Sequence, residues 1–211
     1  MLALSIPSIT QEMIDGQIKE SGSIHIEATE SDFWNLVSLP EYHLEYYNKH
    51  IIGTMSYGST PHERIVRNMM VALFQLFPMP KFEVFGSNRP IYAEACQGIF
   101  LPDLHLISGA LEEYQYDKTK TASLNPSVVV EVHSWSTRTF DLTEKLDCYQ
   151  AMPSVNHIVY VETALMKVRV YSRTNKPNQW LSVEYKEQTQ KVKIMSKYVS
   201  LNSIYLGVFE G

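Results

Sequence analysis

A chain of 211 residues, 45% hydrophobic and 19% charged, has the apolar content of one cored globular domain and lacks the length for two catalytic ones. Its formal net charge of -5 excludes a protein that coats nucleic acid through a global positive field, since that mode depends on many Lys and Arg releasing phosphate counterions. Any contact with nucleic acid is therefore local, and a bound divalent cation can supply positive charge where a phosphate sits.

The start, Met1 to Pro7, is apolar but short, lacks a basic region and is broken by proline, so it does not read as a secretory signal. No apolar run approaches the ~20 residues that span a bilayer, and a cytoplasmic location without membrane contact is the expectation. Residues 1–28 read as a polar N-terminal arm ahead of a domain over 29–211. Thr29 caps a helix expected over Glu30 to Leu39, stopped by Pro40. Tyr42 to Met55 reads as a hairpin turning at Asn48-Lys49-His50, although the turn lacks glycine. Thr60-Pro61-His62-Glu63 starts a helix reaching Phe77, with Val66, Met69, Leu73 and Leu76 on its core face.

Lys81 to Phe85, Arg89 to Ala93 and Pro102 to Ile107 read as strands. Pro126 to His133 has the valine run of a buried central strand. A helix over Ser136 to Ala151 and a strand over Asn156 to Val161 then suggest a right-handed crossover. Strands near Met166 to Tyr171, Gln179 to Tyr185 and Val192 to Met195 complete the sheet as an antiparallel meander. Cys96 and Cys148 stand apart from each other and from any histidine cluster, which argues against a zinc knuckle and predicts reduced, packed thiols.

Glu131 lies within the valine strand, where an uncompensated carboxylate is costly to bury. Either a shared divalent cation or a structural ion pair with Lys145 or Arg138 answers that cost. Strand alternation puts Glu131 and His133 on one face, and the following helix brings Asp141 and Lys145, four residues apart, onto adjacent turns. Asp103, just after Pro102, is either a turn cap or a second metal-binding carboxylate. Arg89, Lys118, Lys120 and Arg138 are potential phosphate contacts but form no concentrated basic patch.

Pro102-Asp103, Glu131-Val132-His133, Arg138 and Asp141 to Lys145, in this order and spacing, resemble the Uma-type restriction endonucleases of the PD-(D/E)xK nuclease superfamily. The resemblance runs from about Tyr42 to the C-terminus and takes in Thr60-Pro61-His62, Tyr160-Val161-Glu162 and Ser203 to Val208. It implies an α/β, restriction-endonuclease-like fold with a central mixed β-sheet flanked by helices. It also implies a nuclease that uses Mg²⁺ or Mn²⁺ and acts on DNA, with a homodimer as the simplest way to cut both strands.

By the same resemblance Asp103 and Glu131 bind the metal, with the Val132 carbonyl as a further oxygen ligand, and Lys145 replaces the superfamily lysine whose position is held here by His133. Asp141 lies near a helix start and either answers the helix dipole or supports Lys145. His62 is either a rim-of-core histidine or a neighbour of the site, and His133 is either a ligand or a packed strand end. Asn48-Lys49-His50, where similar proteins commonly read Asp-Gly-Glu, is a departure. With the changed position 133 it keeps open a nuclease-fold binding or interaction protein without catalysis.

Overall fold

The computed structural model describes residues 9–133 and 143–209. Its elements in chain order are α1 (Gln11–Ser21), β1 (Ile24–Glu27), α2 (Glu30–Leu36), β2 (Tyr42–Tyr47), β3 (His50–Met55) and α3 (Thr60–Leu76). There follow β4 (Phe82–Gly86), β5 (Ile91–Ala93), a 3-10 turn (Glu94–Cys96), β6 (Gly98–Phe100), β7 (Leu104–Ser108), β8 (Glu113–Gln115) and β9 (Thr121–Ser123). The last part comprises β10 (Pro126–His133), α4 (Glu144–Ala151), β11 (His157–Glu162), β12 (Val168–Arg173), β13 (Trp180–Tyr185), β14 (Lys191–Ile194), β15 (Lys197–Ser200) and α5 (Leu201–Ile204).

The strands form two main sheets. The six-stranded sheet runs β13-β12-β11-β10-β7-β4 and is mixed: β10 pairs in parallel with β11, while its other neighbours are antiparallel. The parallel pair needs a crossover, and α4 lies on it. A seven-stranded sheet, β1-β3-β2-β6-β5-β9-β8, gathers the N-terminal half. The separate β14–β15 hairpin closes the antiparallel C-terminal region.

All eight residues of β10 are buried. Val128, Val130 and Val132 join the core beneath α3, which contributes Ile65, Met69 and Leu73. Val129 points the other way, into the cluster with Tyr149, Ile158 and Tyr160. Burial on both faces explains why this strand reads as a continuous valine run instead of an alternation.

Local chemistry sets several element boundaries. The helix expected to reach Leu39 ends at Leu36, but its start is fixed by a reciprocal capping box between Thr29 and Asp32. The next helix is capped by Ser59, one residue before the expected Thr60. Ile65 and not Val66 takes the deepest place on its core face. The glycine-free hairpin turn closes because Asn48 and Lys49 both adopt positive φ, 49° and 61°. Residues 11–27, read as part of an arm, form α1 and β1, with Ile14 and Ile24 buried beside Phe33 and Trp34. No helix among the described residues is long and apolar enough to cross a membrane.

The cysteine expectation is corrected. Cys96 and Cys148 form a disulfide with a Cα–Cα separation of 5.8 Å, tying the 3-10 turn to α4. Sequence spacing hid the pairing because the two residues are 52 positions apart and meet only when β5 and β6 pack under α4. Deeper in the same half, His105 is fully buried, stacked on Phe85 and hydrogen-bonded to Ser123 at 3.0 Å. Burial, aided by the charge of Arg89, pushes its pKa down to about 3.

Candidate functional site

The face of β10 turned toward α4 carries Glu131, which is 5% exposed. Two side chains one helical turn apart on α4 reach it: Lys145 Nζ lies 2.8 Å from Glu131 Oε1, and the Tyr149 hydroxyl donates to the same oxygen at 2.7 Å. Lys145 also donates to Glu45 Oε1 at 2.7 Å. Glu45 comes from β2 of the other sheet, and its Oε1 accepts the Leu101 N–H at 3.0 Å. The ammonium thus joins the two sheets through two buried carboxylates, with the Phe100 ring centroid 5.9 Å away. Burying each ion costs several kcal/mol, and this arrangement answers the cost with short, charge-assisted hydrogen bonds. Burial raises the Tyr149 pKa well above the usual phenol range and the Glu131 charge adds to the effect, although Lys145 opposes it. Tyr149 is therefore a neutral donor that fixes one carboxylate oxygen.

Asp103 occupies the bend before β7. Its Oδ2 accepts the Val132 N–H at 2.7 Å, and its Oδ1 lies 3.1 Å from His62 Nε2. In an extended strand the N–H and C=O of one residue point to the same edge, so the Val132 carbonyl faces the side on which Asp103 stands. His62 lies in the first turn of α3, and its Nδ1 is 3.2 Å from Glu63 Oε1. Burial works against charge on His62, but the hydrogen bonds and charges of Asp103 and Glu63 outweigh it and raise the pKa above 6.5. An NMR titration in EDTA should therefore place the His62 midpoint above 6.5, and Asp103→Asn should move it down. Because the folded-state value is the higher one, this histidine stabilises the fold fully below pH 6.5 and loses that contribution as pH rises through its own midpoint. A groove of about 380 Å³ opens beside Asp103, walled by Val66 and Met70 of α3 and rimmed by Gly86, Ser87, Asn88 and Arg89.

The sequence-derived residues therefore fall into two linked groups. Glu131 and Lys145 are in contact, and Asp103 is bonded to the backbone of Val132, the residue after Glu131. His62 stands against Asp103. His133 is 2% exposed at the strand end, its ring 4.5 Å from that of Tyr160. Asp141 and Arg138 lie outside the described residues. Glu45 is the residue that sequence reasoning missed. The available signal was a carboxylate inside the aromatic run Tyr42 to Tyr47, the same kind of anomaly that singled out Glu131. Arg89, read as scattered surface charge, is engaged by Glu113, Thr121 and Ser123.

Among the described residues no three His, Cys, Asp or Glu side chains are gathered into a metal-holding cluster as they stand. The donor set nevertheless suits a hard divalent cation in kind. Asp103 and the Val132 backbone meet where β7 and β10 part, Glu131 is the preceding residue of β10, and all of these offer oxygen rather than sulfur ligands.

A family model for Uma2, described as "Putative restriction endonuclease", matches residues 31–199. An uncharacterised protein from Synechocystis is 26% identical over 141 residues, covering 64% of this chain and 75% of its own length. The crystal structure of a protein from Anabaena variabilis, titled a putative nuclease, superposes with a TM-score of 0.61 at 15% identity. That superposition covers 82% of this chain and 97% of the other.

Proposed function

The chain belongs to the Uma2 family of restriction-endonuclease-like proteins, and from that premise we propose that it is a divalent-metal-dependent endonuclease hydrolysing phosphodiester bonds in DNA. The observation that carries this reading is the convergence at one end of β10: the Glu131 carboxylate meets the Lys145 ammonium, and Asp103 is anchored on the next residue.

In this reading Asp103, Glu131 and the Val132 carbonyl would hold Mg²⁺ or Mn²⁺. When bound, the ion would polarise the scissile phosphate and lower the pKa of a water molecule. Lys145, held in place by Glu45 and Glu131, would offer an N–H to negative charge developing on the phosphoryl oxygens with little reorganisation. Tyr149 keeps Glu131 from rotating, and His62 does the same for Asp103.

The test is cleavage of supercoiled plasmid with Mg²⁺, Mn²⁺ or EDTA, together with calorimetric titration of Mn²⁺. The expected result is nicking with either metal, none in EDTA, and a loss on the order of 100-fold or more in Asp103→Asn, as removal of a few kcal/mol of transition-state stabilisation requires. A second reading, a nuclease-fold protein that binds without cutting, is favoured by the position of Lys145 between the two glutamates, where it serves as their cation. It predicts no Mn²⁺ binding heat and intact plasmid in every sample.

A further inference from the structure

The segment 163–200 carries eight Lys and Arg and only two Glu, a local charge of +6 inside a chain whose net charge is -5. This segregation is absent from the rest of the sequence, where acidic residues dominate. The fold places part of it on the same sheet face as Glu131. Strand register sets Glu131 of β10 beside Tyr160 of β11, Tyr160 beside Arg169 of β12, and Arg169 beside Glu184 of β13.

At the same end of the sheet, Lys167 precedes β12 and Lys186 follows β13. Three cations surround the single carboxylate of Glu184: Arg169 through a close contact, Lys186 at 2.6 Å and Lys167 at 3.4 Å. Lys186 and then Arg169 hold the Glu184 carboxyl down to about 2, and Glu162 lies 3.9 Å from Lys167. Tyr171 accepts from Arg169 on this face. The side chain of Lys186 is 59% exposed and that of Arg169 is 33% exposed.

We propose that Lys167, Arg169 and Lys186 form a phosphate-backbone track that carries a DNA strand outward from the Glu131 end of β10 over β12 and β13. This proposal rests on the nuclease reading and gives its substrate a path. At about 4.8 Å per strand, β12 and β13 lie roughly 10 and 15 Å from β10, a span of about three to four nucleotides of one strand. An acidic protein gains affinity for DNA only where cations are concentrated, and this face supplies three of them next to the proposed cleavage point. Glu184 among them and Glu162 beside Lys167 orient the cations without neutralising all three.

Fluorescence anisotropy of a labelled duplex, in EDTA and across a salt series, tests the track. Lys167→Gln/Lys186→Gln should weaken binding about 10-fold at low salt and reduce the slope of log K against log salt by about 2, since each phosphate contact contributes about 0.9. Lys186→Gln alone, at an exposed position that the fold tolerates, should give about half of that slope change. Lys176→Gln, in the turn at the far end of β12 and β13, should bind as the unaltered protein does. The proposal is overturned if the unaltered protein does not bind the duplex, if the double variant binds equally well, or if Lys176→Gln weakens binding as much, which would mark a net-charge effect. Plasmid cleavage in Mn²⁺ on the same preparations separates the two ideas. Cleavage with unchanged binding by the double variant removes the track alone, whereas Lys186-dependent binding without cleavage removes the enzyme alone.

Discussion

Replacing Lys145 with alanine should destabilise the protein by about 3–5 kcal/mol and, on the proposed nuclease reading, abolish metal-dependent cleavage. The size of the effect follows from burial. Lys145 is 2% exposed, and Glu45 and Glu131, each 5% exposed, both direct Oε1 at its ammonium. Removing the shared cation leaves two carboxylates from different sheets facing each other in a nearly water-free space, where each retains most of its desolvation cost. Urea denaturation reads the loss, and a double-mutant cycle with Glu45→Gln identifies its source. Lys145→Ala in the Glu45→Gln background should cost much less than in the unaltered protein, because one of the stranded charges is already gone. Equal costs in both backgrounds would show that the ammonium is not coupled to Glu45 and would leave Glu131 as its one carboxylate partner in this pair of glutamates.

Loss of the disulfide should have the next largest effect. The bond closes a loop spanning 52 positions, for which the chain-entropy account gives about 4 kcal/mol. At about 2–4 °C per kcal/mol for a chain of this size, Cys96→Ala/Cys148→Ala should melt roughly 10 °C lower, and dithiothreitol should lower the melting temperature of the unaltered protein similarly. Thiol quantification before and after reduction checks that the bond is the cause. Cleavage should fall as well, because Cys148 lies between Lys145 and Tyr149 on α4. The bridge fixes the helix that presents both of these groups to Glu131, and in the proposed mechanism a small displacement of either would be expensive.

The elements most legible in the sequence were those whose local chemistry and tertiary role agree. Thr29, Pro61 and the valine run over Pro126 to His133 announce a cap, a helix start and a doubly buried strand; the cap and the strand are found where they were expected, and the helix starts one residue earlier. Of the three-residue strands, β5 lies within the stretch Arg89 to Ala93 that reads as a strand, whereas β6, β8 and β9 were poorly legible because three residues carry no usable alternation and long-range pairing defines them. α1 and β1 were hidden by polar composition. Ile14 and Ile24 are too widely spaced to show a period, yet β1 adds to β3 along its whole length.

At the site, Glu131 stood out because a carboxylate inside a valine run demands a partner. Lys145 became a candidate through the family pattern, and the structure supplies a physical reason for its burial. Glu45 was passed over because tyrosines flank it. An aromatic strand with one acidic residue reads as a half-exposed surface strand until the second sheet is seen to cover it. The disulfide illustrates the opposite limit: two isolated cysteines give no local sign of meeting, so only the assembled fold decides whether they pair.

The pairing of β7 with β10 has its last rung at Leu104 and Val130, and beyond it the two strands part while β10 remains joined to β11 as far as His133. The amide of Val132, which a longer β7 would have engaged, is met by a side-chain oxygen of Asp103. Position 103 thus supplies the acceptor that the severed ladder requires, and in the proposed reading the same carboxylate would also face the cation. Asparagine can supply the acceptor, and only aspartate would add the charge.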